Sequence, residues 1–237
     1  GSGKTTLATN LASYYAKECY RTALLDYDPQ GSSSHWLKSR PHTSNPIHGA
    51  SAAKGKYGSL RSWRMHVPDN IEKIIIDAPA GSGKEGFLLQ EMCRRADQII
   101  IPVSPSTMDV HATADFIKDL MLLGKVRQKQ INLAVVANRV RRNTPFYKPL
   151  ERFLNSLDIP FVTQISDSDV FVHVAEKGLG IFDLDPANVR NARTEMQPIL
   201  DWLENPVSKS ALNRLVCQYT RRPINNVIGF PVALKSV

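Results

Sequence analysis

Gly1-Ser2-Gly3-Lys4-Thr5-Thr6 runs without a break into Leu7-Ala8-Thr9-Asn10-Leu11-Ala12-Ser13-Tyr14-Tyr15-Ala16, and this junction decides the fold. The second stretch has helical apolar periodicity, so a small-residue loop opens directly onto a helix with Gly-Lys-Thr at its mouth. Glycine has no Cβ, which lets backbone N–H groups turn inward toward an anion. The helix N-terminus adds the positive end of its dipole. In that arrangement Gly1, Ser2, Gly3, Lys4, Thr5 and Thr6 hold phosphate, with Lys4 on the outer phosphates and the Thr5 hydroxyl on Mg²⁺. Taken alone, the six residues also read as a helix cap carrying an ordinary surface lysine. A loop of this type is aimed by a buried strand ahead of it. Since the sequence opens inside the loop, that strand is expected upstream of Gly1, in a longer protein.

Further along, two apolar runs end on carboxylates. Ala23-Leu24-Leu25 leads to Asp26-Tyr27-Asp28-Pro29-Gln30-Gly31, and Ile74-Ile75-Ile76 leads to Asp77-Ala78-Pro79. Short apolar runs of this kind are buried parallel strands, and α/β sheets bind ligands at the carboxyl ends of such strands. Asp26 equally reads as a strand-end residue capping the helix that begins near Ser32. Asp77 has the character of a carboxylate that reaches Mg²⁺ directly or through water. Gly81-Ser82-Gly83-Lys84 repeats the opening tetrapeptide, but Glu85 stands where a hydroxyl is needed, so a flexible switch loop is expected there.

The remaining pattern alternates. Strands are expected at 98–103, 131–137 and 159–165, and helices at 84–95, 109–123, 146–157, 168–177 and 188–204. Residues 38–68 read as a surface loop with a short helix. Strand and helix alternating throughout predict an α/β fold, a parallel sheet in three layers with helices on both faces. No linker divides residues 1–204. Residues 205–237 differ: a basic tail in which 207–219 has the spacing of an amphipathic helix, followed by Arg221-Arg222. Such a helix touches DNA or membrane, or packs on its own domain.

The bulk numbers set limits. The 237 residues are 42% hydrophobic and 22% charged, enough for a real core without the composition of a disordered chain. Three cysteines, Cys19, Cys93 and Cys217, have neither disulfide nor metal spacing. A formal net charge of +8 favours polyanionic partners. His35, His42, His48 and His66 are read as surface residues.

In order, Gly-Ser-Gly-Lys-Thr-Thr, Leu-Leu-Asp-Tyr-Asp-Pro-Gln-Gly, Ile-Ile-Ile-Asp-Ala-Pro-Ala and Ile-Pro-Val-Ser-Pro-Ser resemble the ParA/MinD family of P-loop ATPases with a deviant Walker A loop. The resemblance covers roughly residues 1–185 and includes Gly178-Leu179-Gly180-Ile181-Phe182-Asp183. Asp-x-Asp-Pro-Gln-Gly points to its ParA side, which positions plasmids, chromosomes and other cargo. It implies ATP and Mg²⁺ as cofactors, Lys4 and Asp28 as catalytic residues, and Asp28 as the one that orients the attacking water. It implies Thr5, Asp26 and Asp77 around the metal, with Asp26 supporting either the metal shell or the loop. Asn138 then contacts adenine, and Pro160 or its neighbours line the base.

The family also inserts a lysine from just upstream of the loop into a partner's phosphates, a position that precedes Gly1, although some carboxysome-positioning members lack it. The resemblance further implies a nucleotide-sandwich homodimer, a ParB-like or cargo-adaptor protein that stimulates hydrolysis, nonspecific DNA binding, and a cytoplasmic, nucleoid-associated location. Arg139, Arg141, Arg142, Lys148 and Arg152, or Arg214, Arg221 and Arg222 of the tail, are the candidate DNA contacts. A MinD-like cycle on membrane, with the tail as anchor, or an inactive fragment of such a protein, is the alternative. A metabolic enzyme of the same fold lacks a recognisable substrate pocket here.

Overall fold

The fold rests on short strands, several of them fully buried, whose side chains alternate between two helical layers. The computed structural model describes residues 2–51, 67–79, 86–122, 130–141, 144–145, 147–205 and 226–230. In chain order the elements are α1 (Lys4–Lys17), β1 (Thr22–Asp26), α2 (Ser32–Ser39), β2 (Ile47–Ser51), β3 (Lys73–Asp77), α3 (Gly86–Arg95) and β4 (Gln98–Val103). There follow α4 (Thr107–Leu122), β5 (Asn132–Val140), α5 (Tyr147–Ser156), β6 (Phe161–Ser166), α6 (Val170–Glu176), α7 (Arg190–Glu204) and β7 (Asn226–Phe230). The seven strands among the described residues form one parallel sheet in the order β2-β1-β3-β7-β4-β5-β6.

Strand β4 shows how the layers form. Ile99, Ile101 and Val103 face Leu89 and Cys93 of α3, Leu120 of α4, and Leu150 and Leu154 of α5. Ile100 joins the opposite layer, with Leu7, Leu11 and Tyr15 of α1, Phe171 and Val174 of α6, and Met196, Ile199 and Leu203 of α7. Successive side chains of a strand point to opposite faces, so a strand covered on both sides must be apolar at every position. That requirement is why β1, β3 and β4 are legible as uninterrupted apolar runs.

Two differences from the sequence-based expectation concern strands. β2 lies within the stretch expected to be loop and helix, and pairs in parallel with β1 as an edge strand. Its residues Ile-His-Gly-Ala-Ser are partly exposed, so no buried apolar run marks it. The second difference is larger. The tail contributes β7, which occupies the middle of the sheet between β3 and β4. The amphipathic helix expected over 207–219 lies outside the described residues, as do Arg142, Arg214, Arg221, Arg222 and the expected switch loop over 81–84.

A buried polar lock fixes α1 and α2 to the segment after α6. Arg40 donates through Nη1 and Nη2 to the two carboxylate oxygens of Asp183, at 2.8 and 2.9 Å. Both side chains are only 6% exposed. Asp183 also accepts from Ser13 Oγ at 2.8 Å and from Gly180 N at 2.9 Å. Nearby, Asn10 Oδ1 accepts from Ile181 N and Trp36 Nε1 donates to Leu179 O. Burial pushes the Asp183 carboxyl up, yet the Arg40, Gly180 and Ser13 donors outweigh it and hold its pKa below the usual value. Gly178, at φ +64°, makes the approach possible, since a Cβ there would stand 2.3 Å from the Arg40 backbone nitrogen.

Removing one member of a buried, hydrogen-bonded ion pair strands the other charge. Asp183→Ala is therefore expected to cost about 3–5 kcal/mol in urea unfolding. Adding Arg40→Met should recover much of that loss. A cost below about 1 kcal/mol for Asp183→Ala alone would contradict the lock.

Candidate nucleotide site

At the carboxyl end of the sheet, the start of α1 meets the ends of β1, β3 and β5. Gly3 sits at the helix N-cap with φ +86°, a left-handed conformation that suits glycine. It also has no room for a side chain, because a Cβ would lie 2.0 Å from Asn138 Nδ2. Asn138 is buried and donates from Nδ2 to the Ser2 carbonyl at 2.8 Å. The register of β5 against β6 slips between Ala137 and Val140, and Arg139 within the slip has φ +54°. Such bulges re-aim side chains at functional ends of sheets. Here Asn138, at this bulge, clamps the loop backbone.

One helical step on, Thr5 Oγ1 donates to Asp77 Oδ2 at 2.8 Å, joining residues 72 positions apart. Asp77 is fully buried, and its other oxygen, Oδ1, meets no hydrogen-bonding donor among the described residues. Burial pushes its carboxyl up to about 6, and the Asp26 and Asp28 charges push the same way, while the Thr5 and Ser33 hydroxyls hold it back. A buried carboxylate with an unfilled oxygen, a hydroxyl beside it and acidic neighbours is a group short of a cation. Hard oxygen donors of this kind suit Mg²⁺, which keeps several waters and takes few protein ligands. The residues present therefore fit the metal: Thr5 and Asp77 would hold it.

Asp26 has a different job. Its Oδ1 accepts from Asp28 N at 3.1 Å and its Oδ2 from Ser34 N at 2.8 Å. It thus satisfies an otherwise orphan donor in the first turn of α2 and folds the Asp28 loop back. Of the two roles expected for Asp26, loop support is the one its hydrogen bonds match. Asp28 is half-buried, and its Oδ1 accepts from Gln30 N at 2.9 Å in a local turn. The Tyr27 amide donates to the Asp77 carbonyl, which ties the two acidic strand ends together. A cleft of about 310 Å³ opens beside Thr5, Thr6 and Thr9, walled by His35, Trp36 and Glu176.

Pro160 does not join the group. Its carbonyl accepts from Val135 N, three residues before Asn138 on β5, and it stands at the entry of β6, whereas the site lies at strand exits. Pro160 was singled out from the family pattern, but it precedes β6 and so stands at the end of the parallel sheet opposite the site. Arg139, Arg141, Lys148 and Arg152 are exposed around the end of β5 and on α5. Arg141 is engaged with Asp167 at 2.6 Å. The Ser34 amide is the donor that the helix-capping reading of Asp26 anticipates. Sequence reasoning missed the Arg40–Asp183 lock, although Asn10 and Ser13 on the buried face of α1 were a signal.

The raised Asp77 pKa has a definite sign. A carboxyl at about 6 when folded, against 3.8 as its reference value, binds its proton more tightly in the native state. Its contribution is fully present below the unfolded value and is lost as pH rises through about 6. Metal-free protein should therefore lose about 3 kcal/mol between roughly pH 4 and pH 7 from this group. Asp77→Asn should flatten that loss and remove stabilisation by Mg²⁺, measured by thermal unfolding across pH. An unchanged pH profile in Asp77→Asn would contradict the assignment.

The model of the CobQ/CobB/MinD/ParA nucleotide binding domain matches residues 1–181. The chain is 24% identical over 209 residues to a maintenance of carboxysome distribution protein A from Halothiobacillus neapolitanus, covering 85% of this chain and 90% of that protein. A second protein so named, from Gloeobacter kilaueensis, is 24% identical over 221 residues, covering 86% and 89%. Among solved structures, a plasmid partition protein of Borrelia burgdorferi bound to AMPPNP superposes with a TM-score of 0.62 at 17% identity, covering 85% of this chain and 94% of that one. MinD of Aquifex aeolicus superposes with a TM-score of 0.61 at 16% identity, covering 88% and 94%. These structures share the three-layer fold, and the match over residues 1–181 makes this chain a member of the MinD/ParA family of nucleotide-binding proteins.

Proposed function

We propose that this protein is a ParA-like ATPase that positions cargo by binding nonspecific DNA in its ATP state and letting go after hydrolysis. The observation that carries the reading is the Thr5–Asp77 hydrogen bond at the mouth of α1, with Asp28 held close by. The long matches to two carboxysome distribution proteins support it, as does the fold shared with a plasmid partition protein.

The chemistry follows from the groups in place. Lys4, at the first turn of α1, neutralises charge on the outer phosphates, and the N-terminal amides of the helix add donors. Mg²⁺, when bound, would neutralise phosphate charge, and Thr5 and Asp77 would hold it. Asp28 accepts a proton-side hydrogen bond from the attacking water and aligns it with the terminal phosphate. Two subunits close over their nucleotides, so that each ATP helps hold the dimer. A ParB-like or cargo-adaptor partner stimulates hydrolysis. The protein works in the cytoplasm on the nucleoid, where a +8 chain meets a dense polyanion.

Exposed Arg139, Lys148 and Arg152 supply phosphate contacts at the end of β5 and on α5. Arg141 would first have to exchange its surface ion pair with Asp167, a pair worth about 1 kcal/mol or less. Binding through such contacts loses log K in proportion to log salt, with a slope of about −0.9 per phosphate neutralised.

The test pairs the wild type with Asp28→Ala in DNA gel-shift and phosphate-release assays at two salt concentrations. DNA binding is expected to need ATP, to weaken steeply with salt, and to persist in Asp28→Ala. Hydrolysis in that variant is expected to fall by about 10²-fold or more. DNA binding that ignores nucleotide would overturn the DNA-switch reading.

A further inference from the structure

Two buried oxygens beside the nucleotide site lack a hydrogen-bonding partner among the described residues. One is Asp77 Oδ1, and the other is Oγ of Ser33, a fully buried residue in the first turn of α2. Asp26 and Asp77 stand in register at the ends of β1 and β3, and Asp26 Oδ2 accepts from Ser34 N at 2.8 Å. That bond brings the first turn of α2 to the acidic strand ends, with Ser33 next to the anchoring amide. The Ser33 hydroxyl is near enough to help hold the Asp77 carboxyl down, yet it closes no hydrogen bond there. Asp77 is thus approached from two helices: Thr5 of α1 donates to one oxygen, and Ser33 of α2 stands nearby with its hydroxyl unused.

Serines that only support this fold are engaged without any ligand: Ser13 Oγ donates to Asp183 at 2.8 Å and Ser166 Oγ to Glu195 at 2.6 Å. Ser33 is not. A buried hydroxyl and a buried carboxylate oxygen left open near one another mark a place that a water or an ion completes. Mg²⁺ keeps several waters, and the groups that hold those waters orient its ligands and tune its affinity. We infer that Ser33 is a positioning residue of the cation site, its hydroxyl completing the hydrogen-bonded shell around a cation held by Thr5 and Asp77.

The consequence is a coupling between metal and loop. The Ser34 amide, one residue on from Ser33, is held by Asp26, and Asp26 also accepts from Asp28 N. A cation that engages Ser33 steadies the first turn of α2 and, through Asp26, the loop that carries Asp28. Metal loading and the placement of Asp28 then favour one another, each to the same degree. The catalytic meaning of that coupling rests on the ATPase reading, whereas the part of Ser33 in metal binding does not.

Ser33→Ala in the full chain tests it, because the substitution removes only the unused oxygen. In chelator the midpoint of thermal unfolding should stay within about 2 °C of wild type or rise, since no hydrogen bond is lost. A larger drop would overturn the inference by showing that the hydroxyl supports the fold. With AMPPNP present, Mn²⁺ in place of Mg²⁺ lets electron paramagnetic resonance count the free ion, and its affinity should fall at least about tenfold in Ser33→Ala. Equal affinities would overturn the inference, and no Mn²⁺ binding by wild type would overturn the Thr5–Asp77 cation site with it. Hydrogen exchange supplies the readout for the loop. Mg²⁺ added to the AMPPNP complex should slow peptides covering residues 26–36 in wild type and leave them unchanged in Ser33→Ala. Equal slowing in both proteins would contradict the coupling. The ATPase reading fails in a different way: neither protein would hydrolyse ATP, while their Mn²⁺ affinities would still differ.

Discussion

Much of this molecule depends on the 2.8 Å hydrogen bond between Thr5 and Asp77. It joins the first turn of α1 to the last residue of β3, with Asp77 buried and Thr5 at the edge of the cleft. A buried carboxylate is costly unless donors or a cation compensate it, and among the described residues Asp77 meets one donor at Oδ2 and none at Oδ1. Asp26 and Asp28 add negative charge nearby and sharpen the need for a cation. The surrounding structure holds this arrangement open. Asn138 grips the Ser2 carbonyl, Asp26 ties down the ends of the Asp28 loop and of α2, and the Arg40–Asp183 lock fixes α1 and α2 from behind.

Two kinds of packing keep that geometry rigid. The sheet contributes strands that are apolar on both faces, where each fully buried isoleucine or leucine is worth about 1.5–3 kcal/mol. Buried polar groups add directional contacts: Asp183 alone accepts from Arg40, Ser13 and Gly180. Site residues sit at strand exits, beyond the last apolar side chain, where the backbone is free to turn. This placement explains why Asp26, Asp77 and Asn138 converge although they are far apart in sequence.

What the sequence made legible follows the same physics. Doubly covered strands leave an uninterrupted apolar signal, so β1, β3, β4 and the core of β5 fell where their isoleucines, valines and leucines put them. The carboxylates ending β1 and β3 were legible for the same reason, because each stops an apolar run. β2 was not, since an edge strand with exposed positions needs no such run. Asp26 could be given two roles from sequence, and its backbone partners were needed to favour loop support. Pro160 was misplaced because a family pattern gives the order of segments but not which end of a strand a residue occupies. β7 was hidden by distance: a five-residue strand after a basic tail gives no hint that it belongs at the centre of a sheet formed by residues 22–166.

The central claim is that Thr5 and Asp77 form a cation site that serves a nucleotide. Titrating a fluorescent ATP analogue into wild type and Thr5→Val, with Mg²⁺ and with chelator, tests it most directly. The substitution keeps the side chain's shape and removes only its hydroxyl. The account predicts that Mg²⁺ tightens wild-type binding by about tenfold or more and that Thr5→Val loses most of this gain while its affinity in chelator stays close to wild type. An equal response to Mg²⁺ in both proteins would contradict it.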